Sequence, residues 1–339
     1  MKKPGRVFLF SLYGTPIRYV AGSHVLVTPV NELLKHFRRE SIEESATLTL
    51  HFRAVEDRAG IPLTLSSSAR QLSVGTGAAV GNRRETGLSY EVIQDERRLI
   101  ADFHHLGVLV IDSMQGCADG YLIKPETMQA ALIEYLFHLA LIELLRHRGL
   151  YTIHATALEK HNRGILIPGN SGRGKTTSFI ALLRSGYRYL SDDHPLFRDM
   201  GAHVEILPFP TKINVTEATI AFFPELLEAS GQVFHSGSVK RSFYAEDVYS
   251  TSIGDSCQPA VMLFPHVVDA HHSHLEPLPK SRALEVLLPQ ALLVYDPEVA
   301  RREFHVLAKL VQQVECYRLH FGRDILDLPK LITPLLEHK

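Results

Sequence analysis

Gly169-Asn170-Ser171-Gly172-Arg173-Gly174-Lys175-Thr176 fits the pattern G-x-x-x-x-G-K-[ST] at every fixed position. Glycines at this spacing let the backbone curl until several N–H groups point inward at an anion. The segment that follows, with Phe179, Ile180, Leu182 and Leu183, has the periodicity of an amphipathic helix. Its N-terminus adds the positive end of a dipole. In such a loop Lys175 reaches the β- and γ-phosphates and the Thr176 hydroxyl can ligate Mg²⁺. Thr177 extends the same first helical turn.

Two more groups lie close in sequence. Asp192 and Asp193 follow the apolar run Tyr187–Leu190. Carboxylates there are predicted at the C-terminal edge of a parallel sheet, beside the phosphates. One can hold Mg²⁺ and the other can take a proton from an attacking hydroxyl. His154 stands in the stretch LYTIHATAL, read as one strand over 150–158. Alternation puts it on the more polar face, with Thr152 and Thr156. A strand histidine on a polar face is equally consistent with a satisfied core residue and with a group facing a nucleotide. ATPases, GTPases and kinases share the loop, but the Asn-Lys-x-Asp base-reading motif of GTPases is absent downstream.

The elements needed to hold these groups can be read around them. A strand over 164–168 feeds the loop and a helix to Arg184 leaves it, closed at Gly186. Further strands are predicted at 260–264 and 316–321. Helices are predicted over 281–288, 297–314 and 328–336, and a hairpin turns at Met200-Gly201. Ahead of this core, strands are predicted at 7–10, 46–50 and 107–113. A short helix is expected over 30–38 and a loop over 66–84. A long helix is expected over 126–148, apolar nearly all round and so buried between two domains. Pro125 suits its first turn, and Arg146, His147 and Arg148 its negative end. The domains are 1–148, an α+β module without an assignable motif, and 149–339.

A length of 339 residues fits two domains, and 45% hydrophobic with 22% charged residues excludes wholesale disorder. The 36 Lys+Arg nearly cancel the 37 Asp+Glu, so net charge gives no global electrostatic argument for nucleic acid or an anionic membrane. Three dispersed cysteines make no disulfide framework, and no apolar run reaches the ~20 residues that span a bilayer. These features point to a soluble, cytoplasmic protein.

Read together, LYTIHATALEKHNRGILIPGNSGRGKTTSFIALLRSGYRYLSDD resembles the catalytic core of the HPr serine kinase family. It is most similar to the HPr-kinase-related branch, which includes lasso-peptide precursor kinases. The resemblance is strong over 144–197 and looser beyond. It implies an α/β fold: a P-loop core like the C-terminal domain of HPr kinase, related to phosphoenolpyruvate carboxykinase, behind an α+β N-terminal domain. It implies ATP and Mg²⁺ as cofactors and transfer to a serine hydroxyl on a protein or peptide, a biosynthetic precursor peptide among them. It further implies Asp192 as general base, Asp193 as a metal ligand beside Thr176, and His154 at the metal or γ-phosphate. Relatives with this core often form homo-oligomers.

The family signature survives here only as Glu205-Ile206 and Asn214-Val215 around Pro208-Phe209-Pro210. Glu205 is the metal carboxylate that this remnant retains. A phosphorolytic back-reaction and HPr as substrate are not carried over. Arg241, in the pair Lys240-Arg241, is the candidate cation for the transferred phosphoryl, with Lys212 a weaker one and a solvated basic pair an equal reading. His266, His271, His272 and His274 crowd a segment between Pro265 and Pro277. Read as loop, that segment lacks the spacing that converges metal ligands. The alternatives in function are a small-molecule kinase and a nucleotide-binding regulatory module without phosphotransfer.

Overall fold

The computed structural model describes residues 5–43, 47–76, 88–169, 174–229, 231–235, 238–249, 253–291 and 294–337. The chain forms two compact units and passes from one to the other between Gly149 and Leu150.

The first unit begins with the hairpin β1 (Arg6–Leu12) and β2 (Thr15–Ala21), then α1 (Val27–Leu33) and the short β3 (Arg38–Arg39). There follow β4 (Leu48–Val55), β5 (Arg70–Thr76), β6 (Ser89–Asp95), β7 (Arg98–Asp102), β8 (Gly107–Asp112), β9 (Cys117–Ile123) and α2 (Ala130–Arg146). Among the described residues the strands make one nine-stranded sheet, ordered β3-β1-β2-β4-β9-β8-β7-β6-β5. Alternation in β4 buries Leu48, Leu50 and Phe52. Phe137 of α2 packs edge-on to Tyr19, 5.1 Å between ring centroids, and against Phe52 at 5.5 Å. The apolar surface of α2 is thus spent at least in part on the sheet of its own unit.

Several boundaries differ from those predicted. α1 ends at Leu33 because Arg38 and Arg39 pair with Phe10 and Leu9 as an edge strand. The stretch predicted as loop contains β5, held by its pairing with β6 against its Ser- and Gly-rich composition. Its residues 77–84 lie outside the described residues, as does Ala46 of the strand predicted at 46–50. α2 starts at Ala130. Pro125–Thr127 instead form a separate turn, closed by the extended backbone of Met128. Arg146 is not a solvated partner of the helix dipole. It is buried and pairs with Glu143 at 3.1 Å.

The second unit opens with β10 (Leu150–Thr152), β11 (Ala155–Lys160), β12 (Arg163–Pro168), α3 (Lys175–Arg184) and β13 (Arg188–Ser191). The hairpin β14 (Leu196–Asp199) and β15 (Val204–Leu207) comes next, then β16 (Ile213–Val215), α4 (Glu217–Ile220), α5 (Leu226–Ala229), β17 (Gly231–His235), β18 (Ser238–Phe243) and α6 (Ala245–Val248). The chain ends with β19 (Gln258–Val267), β20 (His274–Pro277), α7 (Lys280–Leu287), α8 (Pro297–Gln313), β21 (Glu315–Phe321), α9 (Leu328–Ile332) and α10 (Pro334–Glu337). The helix predicted over 328–336 is therefore interrupted at Thr333, ahead of Pro334.

The central sheet has six strands among the described residues, ordered β13-β11-β12-β19-β21-β20. β12, β19 and β21 are parallel, and β11 runs antiparallel to both β12 and β13. The sheet is thus mixed rather than parallel. On one face Ile165, Ile167, Leu263 and Leu319 share a core with Phe179, Ile180 and Leu183 of α3. On the other, Leu166, Met262 and Cys316 share one with Val306, Leu307 and Leu310 of α8.

The strand predicted over 150–158 is two strands in two sheets, since β10 pairs with β14 and β11 with β12 and β13. The break falls at Ile153 and His154. Ile153 bridges to Ala291, and the His154 N–H donates to the Gln290 carbonyl at 2.8 Å.

In the first unit, Asp95 is fully buried at the end of β6. Its carboxylate accepts from the Ser66 hydroxyl and N–H and pairs with Arg98. The Ser66 hydrogen bond, with help from Arg98, holds the carboxyl below its ordinary value of 3.8. A carboxyl depressed in the fold adds stability above its unfolded pKa and loses it as pH falls through the folded one. Asp95→Asn is therefore expected to lower the denaturation midpoint at neutral pH. The gap to wild type should narrow as pH falls below 3.8. A gap that stays constant down to about pH 2 would contradict this reading.

Candidate functional site

Because β11 is reversed, its N-terminus lies at the same end of the sheet as the C-termini of β12 and β13. Ala155 pairs with Pro168, and Ala157 with Ser191. Gly169 follows β12, Asp192 and Asp193 follow β13, and His154 precedes β11. One end of one sheet therefore gathers three of the groups singled out in the sequence.

The turn after β13 is tied to the neighbouring chain at successive residues. The Thr156 hydroxyl donates to the Asp192 carbonyl at 2.8 Å, and the Ala155 N–H to the Asp193 carbonyl at 3.0 Å. The Thr152 hydroxyl donates to the Pro195 carbonyl at 2.8 Å. Thr152 and Thr156 are both buried, so these bonds act away from water, where an unmade one is costly.

Gly169 and Gly174 frame the glycine-rich loop at φ +145° and +87°, a region that disfavours side chains. A Cβ on Gly174 would also meet the Phe321 ring at 3.0 Å. Asn170, Ser171, Gly172 and Arg173 lie outside the described residues. Lys175 opens α3 and is 7% exposed. Its Nζ donates to the Gly169 carbonyl and lies 3.2 Å from His154 Nε2. Thr176 is half-buried on the same turn, and the Thr177 hydroxyl is 3.3 Å from that of Thr219.

His154 Nε2 also lies 2.8 Å from Asp193 Oδ1. One ring nitrogen cannot accept from Lys175 and donate to Asp193 at once. The shorter contact is a donated Nε2–H, and it leaves Lys175 with no acceptor on that nitrogen. The Gly169 carbonyl accepts from the ammonium. Behind them, the Tyr189 hydroxyl donates to the Thr211 carbonyl at 2.7 Å. Burial, with the Asp192 charge adding to it, pushes the Tyr189 phenol well above its ordinary value, so it stays neutral.

His194 is the residue the sequence did not single out. Its Nε2 is 3.5 Å from the second Asp193 oxygen, its ring is 6.0 Å from that of His154, and its side chain is 9% exposed. Position alone, directly after the aspartate pair, was the available signal. Asp193 thus sits between two imidazoles.

One predicted site residue, Glu205, is not brought to this cluster. Glu205 pairs with Arg198 at 2.9 Å, and its neighbour Ile206 bridges to Cys257. Cys257 precedes Gln258, which pairs with Arg163 at the start of β12. Glu205 therefore lies toward the far end of β12 from Gly169. Arg241, on β18, pairs with Glu217 at 3.2 Å and donates to the Leu227 carbonyl; Glu217 lies two residues before Thr219, whose hydroxyl is 3.3 Å from that of Thr177 on the first turn of α3. Lys212 rests on the Tyr244 ring, 5.0 Å from its centroid. The donors that remain for a cation, the Thr176 hydroxyl and the Asp192 and Asp193 carboxylates, are hard oxygens that suit Mg²⁺. The segment read as a histidine-rich loop contains the strand β20. Among the described residues no helix is long and apolar enough to cross a membrane.

The second unit is thus a mixed α/β structure with its polar groups gathered where strands of its central sheet end. No family model matches the chain. A stretch of 105 residues is 31% identical to HPr kinase/phosphorylase of Xylella fastidiosa, in strains M12, Temecula1 and 9a5c alike. It covers 28% of this chain and 33% of each relative, so the chain spans about a third of the length of the curated relatives it matches. Through this stretch the chain is related to the HPr kinase/phosphorylase family. The solved Hpr(Ser) kinase/phosphatase of Coxiella burnetii aligns with 55% of this chain and 93% of its own, at 13% identity and a TM-score of 0.26. A likeness that low carries no argument.

The tie between Thr156 and Asp192 can be tested without a substrate. Thr156→Val keeps the shape of the side chain and removes the donor. We expect a loss of about 1 kcal/mol in urea denaturation. An unchanged midpoint would mean that the bond contributes nothing to the turn.

Proposed function

We propose that the second unit is an ATP-dependent kinase that transfers the γ-phosphoryl to a serine hydroxyl of a protein or peptide. The observation that carries this reading is the convergence of Lys175, His154 and Asp193 at the end of the sheet where the glycine-rich loop begins. The sequence relationship to HPr kinase/phosphorylase supports it independently over the stretch it covers.

Bound MgATP would supply the phosphoryl group, with the cation neutralising charge on its oxygens. In this reading Lys175 leaves the Gly169 carbonyl for the β- and γ-phosphates. The N-terminus of α3 would face those phosphates, and Thr176 and Asp193 would hold the cation. His154 orients Asp193 through its Nε2–H. Asp192 takes the proton of the serine hydroxyl as its oxygen bonds to the γ-phosphorus and the bond to the β–γ bridging oxygen breaks, releasing ADP. Glu205 has no part in this account, because it lies toward the far end of β12 from Gly169; Arg241 is kept as the cation for the transferred phosphoryl. A small precursor peptide is one acceptor that fits the reading, and the cytoplasm, where ATP is abundant, is the compartment it takes.

The test is incubation with γ-labelled ATP, Mg²⁺ and candidate peptides encoded by neighbouring genes. Label is expected on serine. In Asp192→Asn the rate should fall about 10²–10⁴-fold with nucleotide affinity retained. Faster labelling of a metabolite than of any peptide would replace the acceptor class. Tight ATP binding with no acceptor ever labelled would overturn the kinase reading in favour of a regulatory module.

A further inference from the structure

Three histidines stand side by side on the last three strands of the central sheet. His266 on β19 is in register with His320 on β21, and His320 with His274 on β20. Residues directly opposite on neighbouring strands share a face, so the three imidazoles form one row. The rings of His274 and His320 are stacked, 4.4 Å apart and 4° from parallel. That of His266 stands edge-on to His320 at 5.9 Å. His266 and His274 are exposed.

Glu276 lies two residues along β20 from His274 and so on the same face. Its Oε2 is 2.8 Å from His320 Nε2 and 3.6 Å from the Arg318 guanidinium. The His320 hydrogen bond is the largest cause holding this carboxyl below its ordinary range, so it is charged at neutral pH. A carboxylate on Nε2 fixes the tautomer of His320: Nε2 carries the proton and Nδ1 keeps its lone pair. That is the arrangement in which metal-binding histidines are usually held, with the far nitrogen donating to a carboxylate. Three like residues in register also need a reason, because protonated together they would repel across the strands.

We propose that His266, His320 and His274, with Glu276 behind His320, bind one divalent transition-metal cation of the zinc class. Imidazole nitrogens favour zinc, nickel and copper over magnesium, so this site differs in chemistry from the oxygen donors near the glycine-rich loop. Two of the rings now lie stacked and the third edge-on, and among the described residues no three such side chains already converge on a metal position. Capture requires the exposed His266 and His274 to turn toward His320 between staggered rotamers.

The test uses the full chain, Zn²⁺ as probe and calorimetric titration without nucleotide and with Mg²⁺ in excess. One zinc equivalent that Mg²⁺ does not displace is expected. His320→Asn should abolish it, and Glu276→Gln should weaken it about 10–100-fold. His271→Asn, a neighbour outside the row, should leave it unchanged. If His320→Asn fails to fold by thermal melt, the double variant His266→Asn with His274→Asn keeps the His320–Glu276 pair and is expected to lose the zinc. Wild type that takes up no zinc over Mg²⁺ would overturn the proposal. So would row variants that bind it as tightly as wild type.

Discussion

β11 runs against β12 and β13, and the placement of the site depends on that reversal. A strand parallel to its neighbours would carry His154 to the opposite end of the sheet from Gly169 and Asp193. The reversal requires the chain to leave one sheet at Thr152 and enter another at Ala155. His154 sits in that gap, with its backbone N–H satisfied by Gln290 and its ring free to face the strand ends. The threonines on either side then tie the turn after β13 to the same two strands. Topology and hydrogen bonding thus fix a histidine and an aspartate within 2.8 Å before any ligand is considered.

The electrostatics follow from that contact. His154 has one nitrogen toward both Lys175 and Asp193, and it can serve only one of them as written. Pairing with Asp193 orients the carboxylate, while the lysine donates to the Gly169 carbonyl. A lysine that is 7% exposed and held by a carbonyl has much to gain from a multiply charged anion.

The placement of the lysine and the aspartate pair at strand ends and most elements of the second unit were legible in the sequence, as were the two framing glycines at Gly169 and Gly174. Each is dictated by local chemistry: glycine for unusual backbone angles, apolar alternation for strands, 3.6-residue periodicity for α3 and α8. What stayed hidden was decided by pairing partners far along the chain. Nothing in LYTIHATAL marks the break at His154, because both halves are buried and apolar in the same way. β5 and β20 look like loops until β6 and β21 pair with them. Glu205 carried the right charge for a metal site, but the bridge of Ile206 to Cys257 places it toward the far end of β12 from Gly169. His194 became visible only once Asp193 was placed.

The central claim is that Lys175 is parked on the Gly169 carbonyl and moves to phosphate while His154 keeps Asp193. A crystal structure with Mg²⁺ and a non-hydrolysable ATP analogue tests it directly. The account predicts the triphosphate at the end of β12, Lys175 Nζ on its β- and γ-oxygens, and the His154–Asp193 contact retained. A triphosphate bound elsewhere, or Lys175 still on the Gly169 carbonyl beside it, would contradict the account.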